Sequence, residues 1–191
     1  MSEPRPAVFL DRDGTINREV DYLSRVEDFE LLPGAGDALR ALQDAGFLLI
    51  VVTNQSGIAR GMLDEARLEE IHAELARQLD AFGVVLDHVG HCPHHPDCGE
   101  RVECDCRKPR PGLLLEATRA LDVDLTESYC VGDSLRDLTA GEALGVRGIL
   151  VATGKGADQE RAASRDGRTI EPFVADLAVA ARWILARRML T

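Results

Sequence analysis

At 191 residues the chain suits one domain with room for a substantial core, and its 45% hydrophobic and 29% charged residues are ordinary for a globular protein. A net charge of -11 with no basic face argues against general nucleic-acid or anionic-membrane binding, and it requires any phosphate site to be locally basic. The start, Met1-Ser2-Glu3-Pro4-Arg5, carries no apolar leader and no run approaches spanning length, so a cytoplasmic, reducing setting is expected.

Ala7 to Leu10 reads as a buried strand, and it ends in Asp11-Arg12-Asp13-Gly14-Thr15. Side chains alternate along an extended segment, so Asp11 and Asp13 share a face while Arg12 points elsewhere, and Gly14 permits a sharp turn. Two carboxylates this close imply a divalent ion between them or a shared proton. Asn17 to Pro33 lacks periodicity and reads as an excursion above the first strand. Gly36 to Ala45 has helical spacing, and Phe47 to Val52 is an apolar run typical of a parallel strand buried on both faces. That run ends in Thr53-Asn54-Gln55-Ser56-Gly57. A helix is predicted from an Asp64 N-cap to about Phe82, with Leu68, Ile71, Leu75 and Leu79 as its stripe.

Val84 to Cys92 is a weaker strand. Pro93 to Cys106 is too rich in Cys, His, Pro and Asp for a regular element. Pro111 opens a helix to about Leu121, Tyr129 to Val131 is a strand ending in Gly132-Asp133-Ser134, and Leu135 to Leu144 is the next helix. Gly148 to Val151 is another strand, followed by the flexible Thr153-Gly154-Lys155-Gly156, and the closing helix runs from about Val174 to Met189. Strands alternating with helices predict an α/β, three-layer, doubly wound parallel sheet. Asp11, Thr53 and Asp133 each follow the C-terminal end of a strand, the edge where such sheets bind ligands.

Two clusters carry the chemistry. Cys92-x-His94 and Cys104-x-Cys106, nine residues apart, supply four soft ligands for a tetrahedral zinc. Four ligands leave no open position, so this zinc would be structural, pinning the loop at about 92–106 just before Arg107-Lys108. His95 and Cys98 are the competing ligands, while His91 and Cys130 read as parts of the fold.

With these residues in place, the chain resembles the haloacid dehalogenase (HAD) superfamily of phosphatases. Asp11-Arg12-Asp13-Gly14-Thr15 matches that superfamily's first motif, Thr53 its second, Lys108 its third, and Gly132-Asp133 with Asp137 its fourth. Within it the chain is similar to the D-glycero-D-manno-heptose 1,7-bisphosphate phosphatases, through Thr53 to Gly61, Cys92-Pro93-His94-His95-Pro96 and Cys104-Asp105-Cys106-Arg107-Lys108-Pro109. The resemblance implies a Rossmann-like HAD fold over 1–191, Asp11 as nucleophile forming an aspartyl-phosphate, and Asp13 as acid and base. It also implies magnesium on Asp11, the Asp13 backbone carbonyl and Asp133, and phosphate contacts from Thr53, Arg107 and Lys108. Asp137 would orient its neighbours, and the zinc ligands are those already named.

The segments 15–33 and 54–63 are too short for a large cap domain, so three loops must frame an open entrance for a small phosphorylated sugar. Asn17, Glu19, Asp21, Tyr22, Asn54, Gln55, Ser56, Arg60 and Ser134 are the candidate substrate contacts, with Arg60 expected at a second phosphate. Ser134 stands where some heptose enzymes have a lysine, which puts one contact and the anomer preference in doubt. Histidinol-phosphate phosphatase is the rival within the resemblance, and a zinc-stabilised binding module is the non-enzymatic one. Dehalogenation has no use for magnesium, and a mutase needs a closed site to protect its aspartyl-phosphate from water. The resemblance further implies a place in heptose synthesis for surface polysaccharide, and a monomer is expected.

Overall fold

A computed structural model describes residues 3–99 and 103–189. Its centre is β1 (Arg5–Leu10), flanked by β2 (Leu48–Asn54) and β4 (Val123–Gly132). Outside these lie β3 (His88–Cys92) beyond β2, then β5 (Arg147–Val151) and β6 (Phe173–Val174) beyond β4, all parallel, in the order β3-β2-β1-β4-β5-β6. Successive residues of a strand face opposite sides, which explains the uninterrupted apolar runs. Val8, Leu10, Leu49, Val51 and Val131 face one core, and Ala7, Phe9, Leu48, Ile50 and Cys130 face the other.

The first core is covered by α1 (Ala35–Asp44), α2 (Glu65–Asp80) and α6 (Leu177–Arg188), through residues such as Leu39, Leu75 and Ile184. The second is covered by α3 (Gly112–Ala120) and α4 (Leu135–Glu142), through Leu114, Ala117 and Ala140. Asp64 caps α2 as expected, its Oδ1 accepting from the Arg67 amide at 2.8 Å. Because β1 neighbours both β2 and β4, the order of the sheet reverses there, and a crevice opens at the carboxyl ends of β1 and β4.

Four elements depart from the sequence reading. A helix, α5 (Gly156–Arg165), and strand β6 occupy the stretch before Val174 to which the sequence assigned no element; α5 buries only Gly156 and Ala163, so it has no apolar stripe to reveal it. The closing helix starts later than Val174, which belongs to β6; Asp176 caps α6 by accepting from the Val179 amide at 2.8 Å. Strand β4 begins at Val123, well before Tyr129, because its first residues are polar and half-exposed. Between β1 and α1 the excursion contains only a 3-10 turn at Val26–Asp28, and among the described residues neither it nor 55–63 holds a separate folded unit. The loop expected at about 92–106 is seen except for residues 100–102, which lie outside the described residues.

Candidate active site

The turn after β1 is fixed by its backbone. The Asp11 amide donates to the Val131 carbonyl at 2.9 Å, locking the turn to β4, and the Ile16 amide donates back to the Arg12 carbonyl at 2.9 Å. Gly14 takes φ +79°, and a Cβ there would stand 2.2 Å from Asp133 Oδ2, so the turn admits only glycine. The carboxylates of Asp11, Asp133 and Asp137 converge, offering oxygens all within 4.8 Å of one another.

Lys108 closes this group from above. Its side chain is 1% exposed, and its Nζ lies 2.9 Å from Asp11 Oδ1, 2.7 Å from Asp137 Oδ1 and 2.6 Å from the Val52 carbonyl. Burial works against the Lys108 cation, yet Asp11 and Asp137 together push its pKa up. Burial pushes Asp11 up to about 6, with Lys108 opposing. Burial and then the charge of Asp11 push Asp133 up to about 7. Two neighbouring carboxyl groups held above their ordinary range, even with Lys108 beside one of them, favour a divalent cation between them. An oxygen-only donor set on an open cleft suits magnesium, which keeps several of its waters. Asp137 is otherwise engaged: Oδ1 meets Lys108 and Oδ2 accepts from the Ser134 amide at 3.0 Å. That leaves it a positioning group between the metal pocket and the lysine.

Asp13 has a different environment. Arg12, fully buried, grips it with Nη2 at 2.8 Å from Oδ2 and Nε at 3.3 Å from Oδ1. Asn17 Nδ2 donates to Oδ1 at 2.9 Å and Gln55 Nε2 to Oδ2 at 2.8 Å. Burial alone would raise the Asp13 pKa, but the Arg12 charge and these hydrogen bonds outweigh it and lower it. The Asp13 side chain therefore stands outside the acidic cluster, and any contact from residue 13 to a metal falls to its backbone carbonyl.

The cleft above these groups has a volume of about 230 Å³. Of the expected contacts, Glu19, Asp21, Tyr22, Thr53, Asn54, Gln55, Ser56, Arg107 and Ser134 line it. Two do not. Asn17 is fully buried and spends its amide on the Asp13 carboxylate and the Arg18 carbonyl, beneath the cleft and not in its lining. Arg60 lies outside the lining, stacked 5.4 Å over the Tyr22 ring and 2.7 Å from His95 Nε2. Asn54 exchanges two hydrogen bonds with the Lys108 backbone, both 3.1 Å, which fixes the lysine to the end of β2.

Sequence reasoning passed over Arg12, Arg136 and Lys155. Arg12 curls back onto its neighbour instead of pointing away. Lys155 follows the end of β5; its amide donates to Asp133 Oδ2 at 2.8 Å and its Nζ pairs with Glu19 at 2.9 Å. The strand-end rule that found Asp11, Thr53 and Asp133 finds Lys155 too, had it been applied to β5. Gly154 precedes it at φ +57°, where a Cβ would come 2.1 Å from Asp133 Oδ2. Gly154→Ala is therefore expected to displace that carboxylate and raise half-saturating magnesium about tenfold or more, read from phosphate release across a magnesium titration.

The cysteine-rich loop starts at Cys92, the last residue of β3. Cys92 Sγ lies 3.6 Å from Cys104 Sγ, 3.2 Å from Cys106 Sγ and 3.7 Å from His94 Nδ1, and His94 Nδ1 is 3.3 Å from Cys106 Sγ. Sulfurs around a tetrahedral ion bonded at about 2.3 Å stand about 3.8 Å apart, so the four groups fit zinc. Burial pushes the Cys92 thiol well above its usual value, a cost that ligation to a cation reverses. Among the described residues Cys98 and His95 stand outside this cluster, and His91 hydrogen-bonds Glu65 at 2.8 Å. Arg107 Nη1 donates to the His94 carbonyl at 2.9 Å, so the loop reaches directly to the cationic pair beside the cleft.

An aspartate at the switch point of a doubly wound sheet, answered by a buried lysine and an acidic metal pocket, defines a phosphoric monoester hydrolase of the HAD superfamily. A family model described as HAD-hydrolase-like matches residues 105–180. The chain is 47% identical over 160 residues to a D-glycero-beta-D-manno-heptose-1,7-bisphosphate 7-phosphatase of Haemophilus ducreyi, covering 82% of this chain and 88% of that one. It is 42% identical over 189 residues to the protein of the same name from Photorhabdus laumondii, covering 96% and 99%. A crystal structure of the D,D-heptose 1,7-bisphosphate phosphatase of B. bronchiseptica, complexed with magnesium and phosphate, superposes with a TM-score of 0.84 at 38% identity over 95% and 99% of the two chains. The chain belongs to the D-glycero-beta-D-manno-heptose-1,7-bisphosphate 7-phosphatase family.

Proposed function

We propose that the whole chain is one HAD-type hydrolase domain that removes the 7-phosphate from D-glycero-beta-D-manno-heptose 1,7-bisphosphate. The observation that carries the chemistry is the buried Lys108 bridging Asp11 and Asp137 at the mouth of an acidic pocket. The names of the relatives support the substrate and the beta anomer, which the sequence left open.

An Asp11 carboxylate oxygen attacks phosphorus, forming an acyl phosphate, while the bond to the sugar's 7-oxygen breaks. Asp13 gives that oxygen its proton. In the second half, Asp13 takes a proton from water, the water oxygen attacks phosphorus, and Asp11 leaves as a free carboxylate with inorganic phosphate. At rest Arg12, Asn17 and Gln55 hold Asp13 as a base; a phosphate dianion beside it raises its proton affinity for the acid half-step. Lys108 and the Thr53 hydroxyl face the transferring oxygens. Magnesium, when bound by Asp11 and Asp133, supplies charge neutralisation for the phosphoryl group.

The test is a comparison of kcat/KM across both heptose bisphosphate anomers, histidinol phosphate and simple sugar phosphates. The beta bisphosphate is expected to lead, with activity dependent on magnesium. A clear preference for histidinol phosphate would overturn the assignment.

A further inference from the structure

The cleft is lined by more carboxylates than cations, and its cations are Arg107, Lys108, Arg136 and Lys155. Two of the four are paired with carboxylates: Lys108 sits between Asp11 and Asp137, and Lys155 Nζ pairs with Glu19 at 2.9 Å. Arg107 gives Nη1 to the His94 carbonyl at 2.9 Å and keeps its other donors beside Lys108. The fourth is Arg136. It is exposed in the first turn of α4, and among the described residues no carboxylate lies within ion-pair distance of it.

Its direction is nevertheless set. Nε donates to Ser134 Oγ at 3.1 Å, while the Ser134 amide is held by Asp137 Oδ2 at 3.0 Å, so the guanidinium hangs from the same turn that carries Asp133. A hydrogen bond through Nε leaves both terminal nitrogens for a planar, bidentate grip on an anion.

The reacting phosphate has Lys108 and the metal pocket. A bisphosphate brings a second dianion into an acidic cleft, and without a cation of its own that group would be repelled. We propose that Arg136 binds the non-reacting phosphate and determines the preference for a bisphosphate over a monophosphate, with Ser134 as the residue that positions it. This rests on the reading of the substrate as a sugar bisphosphate. Arg60 and Arg107 are the alternatives, but Arg60 stands outside the lining, stacked on Tyr22, and Arg107 adjoins Lys108 at the reacting phosphate.

A matched pair of substrates isolates the effect: heptose 1,7-bisphosphate and heptose 7-phosphate share the reacting group and differ only in the second phosphate. In Arg136→Gln the ratio of kcat/KM for the bisphosphate to that for the 7-phosphate is expected to fall about 10- to 100-fold, chiefly through KM, the usual worth of a charge-assisted hydrogen bond. Arg136→Lys should recover part of the ratio, and Ser134→Ala should lower it less than Arg136→Gln. Equal losses on both substrates, an unchanged ratio in Arg136→Gln, or a lost ratio in Arg60→Gln or Arg107→Gln instead would overturn the proposal. If the unaltered protein prefers the bisphosphate and Arg136→Gln keeps that preference, only the role of Arg136 falls. If the unaltered protein shows no such preference, the substrate reading falls with it.

Discussion

Asp11→Asn is expected to lower phosphate release by about 10⁴-fold or more, the scale reached when a covalent nucleophile is removed. Asparagine keeps the shape of the side chain and its place at the end of β1, but an amide oxygen cannot form a stable acyl phosphate and return as a leaving group. The fold should survive. Lys108 keeps Asp137 as its partner at 2.7 Å and the Val52 carbonyl at 2.6 Å, so the lysine is not stranded without an anion. The linkage has a definite sign. Folding raises the Asp11 pKa from 3.8 to about 6, so the native state binds this proton more tightly than the unfolded chain does. The group's favourable contribution is therefore complete below its unfolded value and is lost as pH rises to about 6. Above that, the buried anion is a standing cost that asparagine lacks. Melting of metal-free Asp11→Asn at neutral pH is thus expected to be no lower than that of the unaltered protein, while turnover disappears. Retained full turnover would sink the covalent route and leave Asp11 as a metal ligand alone.

How much of this site could be read from the sequence depended on what each residue needed in order to be seen. Asp11, Thr53 and Asp133 were legible because each ends an apolar run, and a parallel sheet turns the ends of such runs into one edge. Lys108 was not legible in that way. It follows an irregular loop, and only the resemblance singled it out before the structure placed it on Asp11 and Asp137. Arg12 does not point away because strand alternation stops at Leu10, the end of β1, and the turn that follows brings the guanidinium back onto Asp13. Asn17 was given to the substrate, yet the Asp13 carboxylate needed a buried donor and took it. Helix α5 escaped for a different reason, since a helix that buries only a glycine and an alanine leaves no periodic signal. The fold-level reading survived these errors because it rested on five apolar runs, while each side-chain role rested on one local turn.

Cys106→Ser is expected to release zinc, lower the melting temperature and cut turnover about tenfold or more. A serine hydroxyl is a poor replacement for a thiolate, and three remaining ligands cannot close a tetrahedral site. The loop has little else to hold it: Cys92 and Cys104 pack into the second core, but the described residues between them form no helix or strand. Turnover should suffer because the loop's last ligand immediately precedes Arg107 and Lys108. Arg107 leans on the His94 carbonyl, and the Gly112 amide donates to the Asp105 carbonyl at 3.0 Å, so a loosened loop moves the residues that face the phosphate. Cys98→Ser is the matched control, since Cys98 stands outside the ligand cluster. Zinc content near one per chain is expected in Cys98→Ser and near none in Cys106→Ser. Cys98→Ser should keep full turnover, and excess magnesium should fail to restore turnover to Cys106→Ser, which separates loss of the loop from loss of the catalytic metal. If Cys106→Ser loses its zinc and still turns over at the full rate, the loop stabilises the chain without setting the pose of Lys108. The hydrogen bonds from Asn54 would then suffice to hold the lysine over Asp11.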